Sequence, residues 1–321
     1  MENWQPTATM NNLRRRAEIL AQIRRYFNDQ AVMEVDAAVL SHCAVSDPFI
    51  DSLEVNFRGH PTADIETCYL QTSPEYAMKR LLASGSGDIY QMGKVFRNGE
   101  EGRHHNPEFT MLEWYRLGYD DAQLMDDVEQ LVRTILTIGP IRRASYREIF
   151  IEKLNLDIDK VSTAELARIL RQYVDVILDE DDRDTWLNLL MSHVIEPTLK
   201  DEPIFITNYP ASQSALARLK ISETGQPVAA RFELFVGGME LANGYHELTD
   251  ATEQARRLEA DQQVRSALAL PQRPLEKRLV SALQAGLPDC AGVALGVDRL
   301  VMLALEAQHI AEVIPFTFRH A

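Results

Sequence analysis

The sequence predicts an α+β fold, a mostly antiparallel sheet flanked by helices. Three observations lead there. Strand-like runs at 229–236 and 239–242 flank Gly237-Gly238, a pair suited to a two-residue hairpin turn. Residues 95–115, VFRNGEEGRHHNPEFTMLEWY, read as a strand, a polar loop and a returning strand. The strand segments fall in two sets around a helical block instead of alternating one by one with helices, which disfavours a doubly wound parallel sheet.

Taken in order, residues 10–28 place Leu13, Ala17, Leu20, Ile23 and Phe27 at helical spacing. A short strand at 32–35 follows. Residues 45–65 hold short strand pieces, punctuated by Asp47-Pro48 and Gly59-His60-Pro61. A strand at 69–71 runs into Ser73, a suitable N-cap, and Pro74, a suitable first residue for a helix reaching about Ser84. Residues 119–138 and 145–200 read as mostly helical, with the acidic segment Asp179-Glu180-Asp181-Asp182 as a loop and helix start. Strands return at 203–207, 229–236 and 239–242, the last ended by Asn243-Gly244. A helix over 251–268, a loop with Pro271 and Pro274, and another helix precede a closing strand (293–295), turn and helix (298–306). We expect a single domain over 1–321 with a mostly helical insertion at about 141–200.

Composition narrows the function classes. Apolar residues make up 45% of the chain and charged residues 25%, ordinary for a globular protein. The most apolar run, 291–307, is cut by Asp298 and Arg299, short of the roughly 18 residues of a membrane span. The N-terminal residues lack a secretory pattern. Cys43, Cys68 and Cys290 lie far apart without CxxC spacing, so a reducing cytoplasm is the natural setting. A net charge of −15 argues against a nucleic-acid partner. The basic clusters at 14–16, 24–25 and 142–143 read as solvated helix faces.

Three constellations carry chemistry. In the glycine hairpin Val236 pairs with Met239 and Phe235 with Glu240. Glu233 and Glu240 then share a face at a diagonal of roughly 7–8 Å. Hard oxygen donors so placed suit Mg²⁺; two surface glutamates on an edge hairpin are the alternative. On the strand after the polar loop, Phe109, Met111, Glu113 and Tyr115 share one face, and Thr110, Leu112 and Trp114 the other. An acid among such neighbours costs several kcal/mol if charged and unpaired. Glu113 therefore requires a cation, either a bound amine or a protein arginine. In GVALGVDRL (292–300), Gly296 lets the backbone approach a ligand, and Arg299 sits in a first helical turn, where phosphate is favoured. Pairing of Arg299 with Asp298 or Glu306 is the structural alternative.

Together these blocks resemble the ATP site of class II aminoacyl-tRNA synthetases of the lysine type. TSPEYAMKRLL, RHHNPEFTMLEWYR, GMELANGYHELTD and GVALGVDRLVMLAL carry the resemblance over most of the chain. It implies ATP and Mg²⁺ as cofactors, with Arg97 and Arg299 as catalytic residues on the phosphates. Phe109 would stack on adenine. Gly99, His105, Asn106, Leu241 and Gly296 would line the nucleotide, and Glu233 and Glu240 would hold the metal. Glu247 would bind a substrate ammonium, with Ser73, Glu75, Glu113, Tyr115, Asn243 and Ala294 completing the substrate pocket.

The sequence departs from the family at three places. Gly99 stands where a glutamate is usual, with Glu100 and Glu101 following. Ala38 replaces the customary proline of the first motif, whose place is taken by residues 27–40 and which implies a homodimer. Ala294 stands where lysyl-tRNA synthetases generally have glycine. No room for an anticodon-binding barrel exists before Leu13. With the acidic balance, this makes the closest likeness the truncated lysyl-tRNA synthetase paralogues that ligate lysine to elongation factor P. The resemblance implies activation of (R)-β-lysine, less well lysine, and transfer to a lysine of elongation factor P, with no tRNA and no membrane. A minimal enzyme charging an RNA and a non-catalytic regulatory paralogue are the alternatives.

Overall fold

The computed structural model describes residues 4–175 and 182–321. In chain order its elements are α1 (Met10–Asp29), β1 (Met33–Glu34), β2 (Leu40–Ser41), β3 (Glu54–Phe57), β4 (Glu66–Leu70), α2 (Glu75–Ala83), β5 (Ile89–Phe96) and β6 (Glu108–Leu117). Then come α3 (Asp121–Ile135), β7 (Arg142–Ser145), α4 (Tyr146–Leu154), α5 (Thr163–Leu170), α6 (Arg183–Leu190), β8 (Ile204–Pro210), β9 (Leu219–Ile221), β10 (Pro227–Val236) and β11 (Met239–His246). The chain continues through α7 (Ala251–Ala267), α8 (Lys277–Gly286), β12 (Cys290–Gly296) and α9 (Val297–Ala304). Strand pairing is mostly antiparallel, as an α+β fold requires; β1–β5 and β7–β8 are the parallel pairs among the described residues.

The elements gather into two compact units. One holds the residues up to Tyr119 together with Leu248–Ala321, and the other is Asp120–Glu247. In the first unit β1, β5, β6 and β12 lie side by side in that order, and β2, β4 and β3 form a separate small sheet. β6 is buried on both faces: Leu112 and Trp114 fully so, and Met111, Glu113 and Tyr115 nearly so. Phe27 of α1 stacks on Tyr90 at 4.4 Å and meets Trp114 edge-on at 5.4 Å. Met78 and Leu82 of α2 pack with Leu279 and Leu283 of α8 on Ile89, Tyr115 and Cys290. This packing fixes the start of α2 beside the middle of β6.

In the second unit β11, β10, β8 and β7 are neighbours in that order, with β9 also paired to β10. Tyr146 and Phe150 of α4, Leu166 and Leu170 of α5, and Trp186 and Leu190 of α6 cover Ile204, Ile206 and Phe235. The segment at 141–200 is mostly helical but opens on a strand. β7 pairs in parallel with β8, bringing buried Ala144 opposite Ile206. Asp182 caps α6 by accepting the Thr185 N–H at 2.9 Å; Asp179, Glu180 and Asp181 lie outside the described residues.

Two more readings are corrected. Asn243-Gly244 does not end β11, which continues to His246. A Cβ on Gly244 would fall 2.4 Å from Cζ of Phe232, so this glycine admits an aromatic ring across the strand pair. The basic clusters are not simply solvated. Arg16 is buried and pairs with Asp298 at 2.6 Å, Arg24 pairs with Glu34 at 3.1 Å, and Arg143 pairs with Asp126 at 2.5 Å. Arg142 pairs with Glu152 and Glu202. No helix among the described residues is long and apolar enough to cross a membrane.

Candidate active site

The first unit gathers an acid cluster where α2 meets β6. Ser73 accepts the Glu75 N–H at 3.0 Å just ahead of α2, whose N-cap position is Pro74 and not the expected Ser73, and its hydroxyl donates to Oε2 of Glu113 at 2.7 Å. Tyr115, two residues along the same strand face, donates to Oε1 of Glu113 at 2.7 Å. The bonded partners of Glu113 are thus two hydroxyls, and no arginine among the described residues bonds to it. Burial pushes its carboxyl up to about 7, and the nearby charge of Glu75 adds to that; the two hydroxyls and Lys79 act the other way. Lys79, fully buried, donates to Glu75 at 2.6 Å. Ala294 of β12 lies directly opposite Glu113, which puts its methyl on the same sheet face. Lys79 was not singled out from the sequence. Its signal was the four-residue spacing from Glu75 on a helix.

The loop between β5 and β6 begins at Arg97. The Arg97 guanidinium lies 5.2 Å over the Phe109 ring and 3.6 Å from Glu100, and its buried Nε has no hydrogen-bond partner. Gly99 adopts φ +79°, a left-handed conformation that disfavours the usual glutamate. The acid beside Arg97 is therefore Glu100, one residue later. Glu101 turns away to Arg319, with both contacts at 2.7 Å. His105 meets Arg299 at 2.5 Å. Burial, then the charges of Arg103 and Arg299, hold the neighbouring His104 below the usual imidazole value.

Asn106, in the same loop, is held at both ends of its amide. Its Nδ2 donates to the Glu108 carbonyl at 2.6 Å and its Oδ1 accepts the Phe318 N–H at 2.9 Å, so its amide braces the loop. With Arg103 bonded to Gln308 and the Ile310 N–H bonded to the Arg103 carbonyl, residues 308–319 clasp the loop at four points. At the start of α9, Asp298 accepts the Thr110 N–H at 2.8 Å and is paired with Arg16, so the suggested Arg299–Asp298 pair is not formed. A methyl on Gly296 would rest 3.5 Å from Cδ of Arg299.

The second unit carries the acid hairpin. Val236 pairs with Met239 and Phe235 with Glu240, the predicted turn register. Beyond it a bulge brings Leu234 opposite Ala242 and Glu233 opposite Asn243. The bulged Leu241 buries its side chain. Asn243 keeps a buried Oδ1 with no hydrogen-bond partner. The Glu240 charge acts on Glu233, so the two carboxylates are electrostatic neighbours. Glu233 is engaged by two neighbours of its own unit. One of its oxygens is paired with Arg231 and the other accepts the Tyr209 hydroxyl at 2.6 Å, while Arg231 lies 4.5 Å over the Tyr209 ring. These groups offset the charge of Glu233, and Glu240 is half-buried. Glu247 is 1% exposed, and its carbonyl accepts from Arg218 Nε at 3.0 Å.

An acid cluster beside an arginine-bearing hairpin loop, on a mostly antiparallel sheet, is the frame that a family likeness must fit. The family model for class II tRNA synthetases of the aspartate, lysine and asparagine type matches residues 3–320, and the chain belongs to that family. Among its relatives is the elongation factor P–(R)-β-lysine ligase of Yersinia enterocolitica, 50% identical over 318 residues, which are 98% of this chain and 97% of that protein. The proteins of the same name from Pectobacterium carotovorum and Edwardsiella ictaluri are each 48% identical, covering 99% and 100% of this chain and 98% and 99% of theirs.

Proposed function

We propose that this chain is an ATP-dependent, AMP-forming ligase that activates (R)-β-lysine, and lysine less well, and transfers it to a lysine ε-amine of elongation factor P. The observation that carries the substrate class is Glu113: a buried carboxyl bonded to two hydroxyls, beside a second acid, with no arginine bonded to it. Such a site favours an ammonium over a carboxylate. The relatives' names supply the acceptor.

The first step needs no general base, because the substrate carboxylate is already ionised near neutral pH. It attacks the α-phosphorus of ATP, the bond to the β-phosphate oxygen breaks, and pyrophosphate leaves. Arg97 and Arg299 supply the positive charge for the phosphates. The unbonded Nε of Arg97 and its place against Phe109 support that role and a stacking role for Phe109. A divalent ion, Mg²⁺, held at Glu240, would offset phosphate charge. In the second step the acceptor amine, having lost its proton, attacks the acyl carbon; an amide forms and AMP leaves. In the second unit we assign Glu247 to a substrate ammonium and the backbone at Leu241 to the nucleotide. Ala294, opposite Glu113, favours the β- over the α-amino acid by its methyl. Ala294→Gly should narrow that preference in pyrophosphate exchange; an unchanged ratio would remove the steric account.

We place the enzyme in the cytoplasm, where its three free cysteines stay reduced. A twofold dimer through the 27–40 segment is supported by exposed Met33, Val39 and Leu40. Intact mass measurement of elongation factor P after incubation with enzyme, ATP, Mg²⁺ and (R)-β-lysine tests the function. A gain of one lysyl residue is expected. An unchanged mass together with a charged tRNA would transfer the assignment to RNA.

A further inference from the structure

Lys79 is the one lysine that is fully buried among the described residues, and its ammonium sits in the acid cluster at 2.6 Å from Glu75. A buried ammonium is stable only beside a carboxylate, so the two side chains act as a unit, one turn apart on α2. Around Glu113 the groups are Ser73, Glu75 and Lys79 from the α2 side, Tyr115 along β6, Gln91 across on β5 and Ala294 across on β12. Of these, Glu75 and Lys79 offset each other. Glu113 bonds to hydroxyls.

We propose that Lys79 is a positioning residue for the substrate: by holding Glu75, it leaves Glu113 as the carboxylate of this cluster that receives a substrate ammonium. The cluster then has a place for one added positive charge. This role rests on the diamino-acid reading above and deepens it. Removing the Lys79 charge would leave the Glu75 carboxyl without its 2.6 Å partner, in the neighbourhood of the buried Glu113 carboxyl whose proton its charge favours. The buried one would retain its proton to higher pH, and a protonated acid does not hold an ammonium. Lys79 already acts to lower Glu113, and Glu75 to raise it.

The test is calorimetric titration of (R)-β-lysine into the full-length protein from pH 6 to 8.5, with wild type, Lys79→Met, Lys79→Arg and Glu75→Gln. Wild-type affinity should rise through a midpoint as Glu113 ionises. In Lys79→Met that midpoint should move up by about one pH unit, weakening binding about fivefold near pH 7 and nearly tenfold near pH 6, but little at pH 8.5. Lys79→Arg keeps the charge and should keep the midpoint. Glu75→Gln should move it down, and it carries the test if Lys79→Met does not fold. Midpoints that do not move, or an equal loss at every pH, overturn the role of Lys79. Wild-type protein that binds neither (R)-β-lysine nor lysine at any pH overturns the substrate reading as well.

Discussion

Glu113 sets a pH dependence that a single substitution exposes. Its carboxyl rises from an ordinary 4.5 to about 7 on folding, so the native state holds this proton more tightly than the unfolded chain. The stability linked to that proton is present below pH 4.5 and is lost as pH rises through 7. The loss is bounded at roughly 3 kcal/mol. Glu113→Gln should therefore flatten the decline in Tm between pH 5 and 8 and abolish the stabilisation by (R)-β-lysine, which in wild type should be larger at pH 8 than at pH 6. Thermal scans with and without ligand check both outcomes. Arg97→Ala should lower pyrophosphate exchange by about a hundredfold or more while leaving diamino-acid binding intact. At this scale the sequence was readable where a residue type announces its own need, as with an acid on an otherwise apolar strand face. It was not readable where the partner is remote: the Asn106 amide is committed to Phe318, 212 residues away, and Arg16 to Asp298.

Among the elements, the hairpin of β10 and β11 is the instructive case. Its turn and first pairs follow from Gly237-Gly238, but the bulge at Leu241 does not, because no local pattern encodes where a strand takes an extra residue. Strict alternation would place Asn243 on the face opposite Glu240; the observed register sets it across from Glu233. The Asn243-Gly244 pair reads as a turn on composition, whereas Gly244 is there for the Phe232 ring. Gly244→Ala should destabilise the protein by about 1–3 kcal/mol, measured as a lower urea midpoint at unchanged slope. β7 escaped notice because four residues next to a helix cap carry too few alternations to stand out. Helices fared better, since α1, α2 and α7 each combine an apolar stripe or a capping side chain with a recognisable start.

For the whole molecule, charge is the deciding property. The net −15 comes with basic clusters that are already paired with acids of the same chain. Those pairs must open before their arginines can displace counterions from a nucleic acid. Binding to tRNA in 150 mM salt should be weak, and the slope of its affinity against salt concentration shallow, in filter-binding measurements; a steep slope would reveal a basic surface. The four-point clasp on the 97–109 loop has a consequence for biosynthesis. Its second half leaves the ribosome some two hundred residues after its first. A growing polypeptide must carry the 97–109 loop without these contacts through most of translation. A nonsense mutation a dozen codons before Ala321 would remove three of the four points, those at Ile310, Phe318 and Arg319.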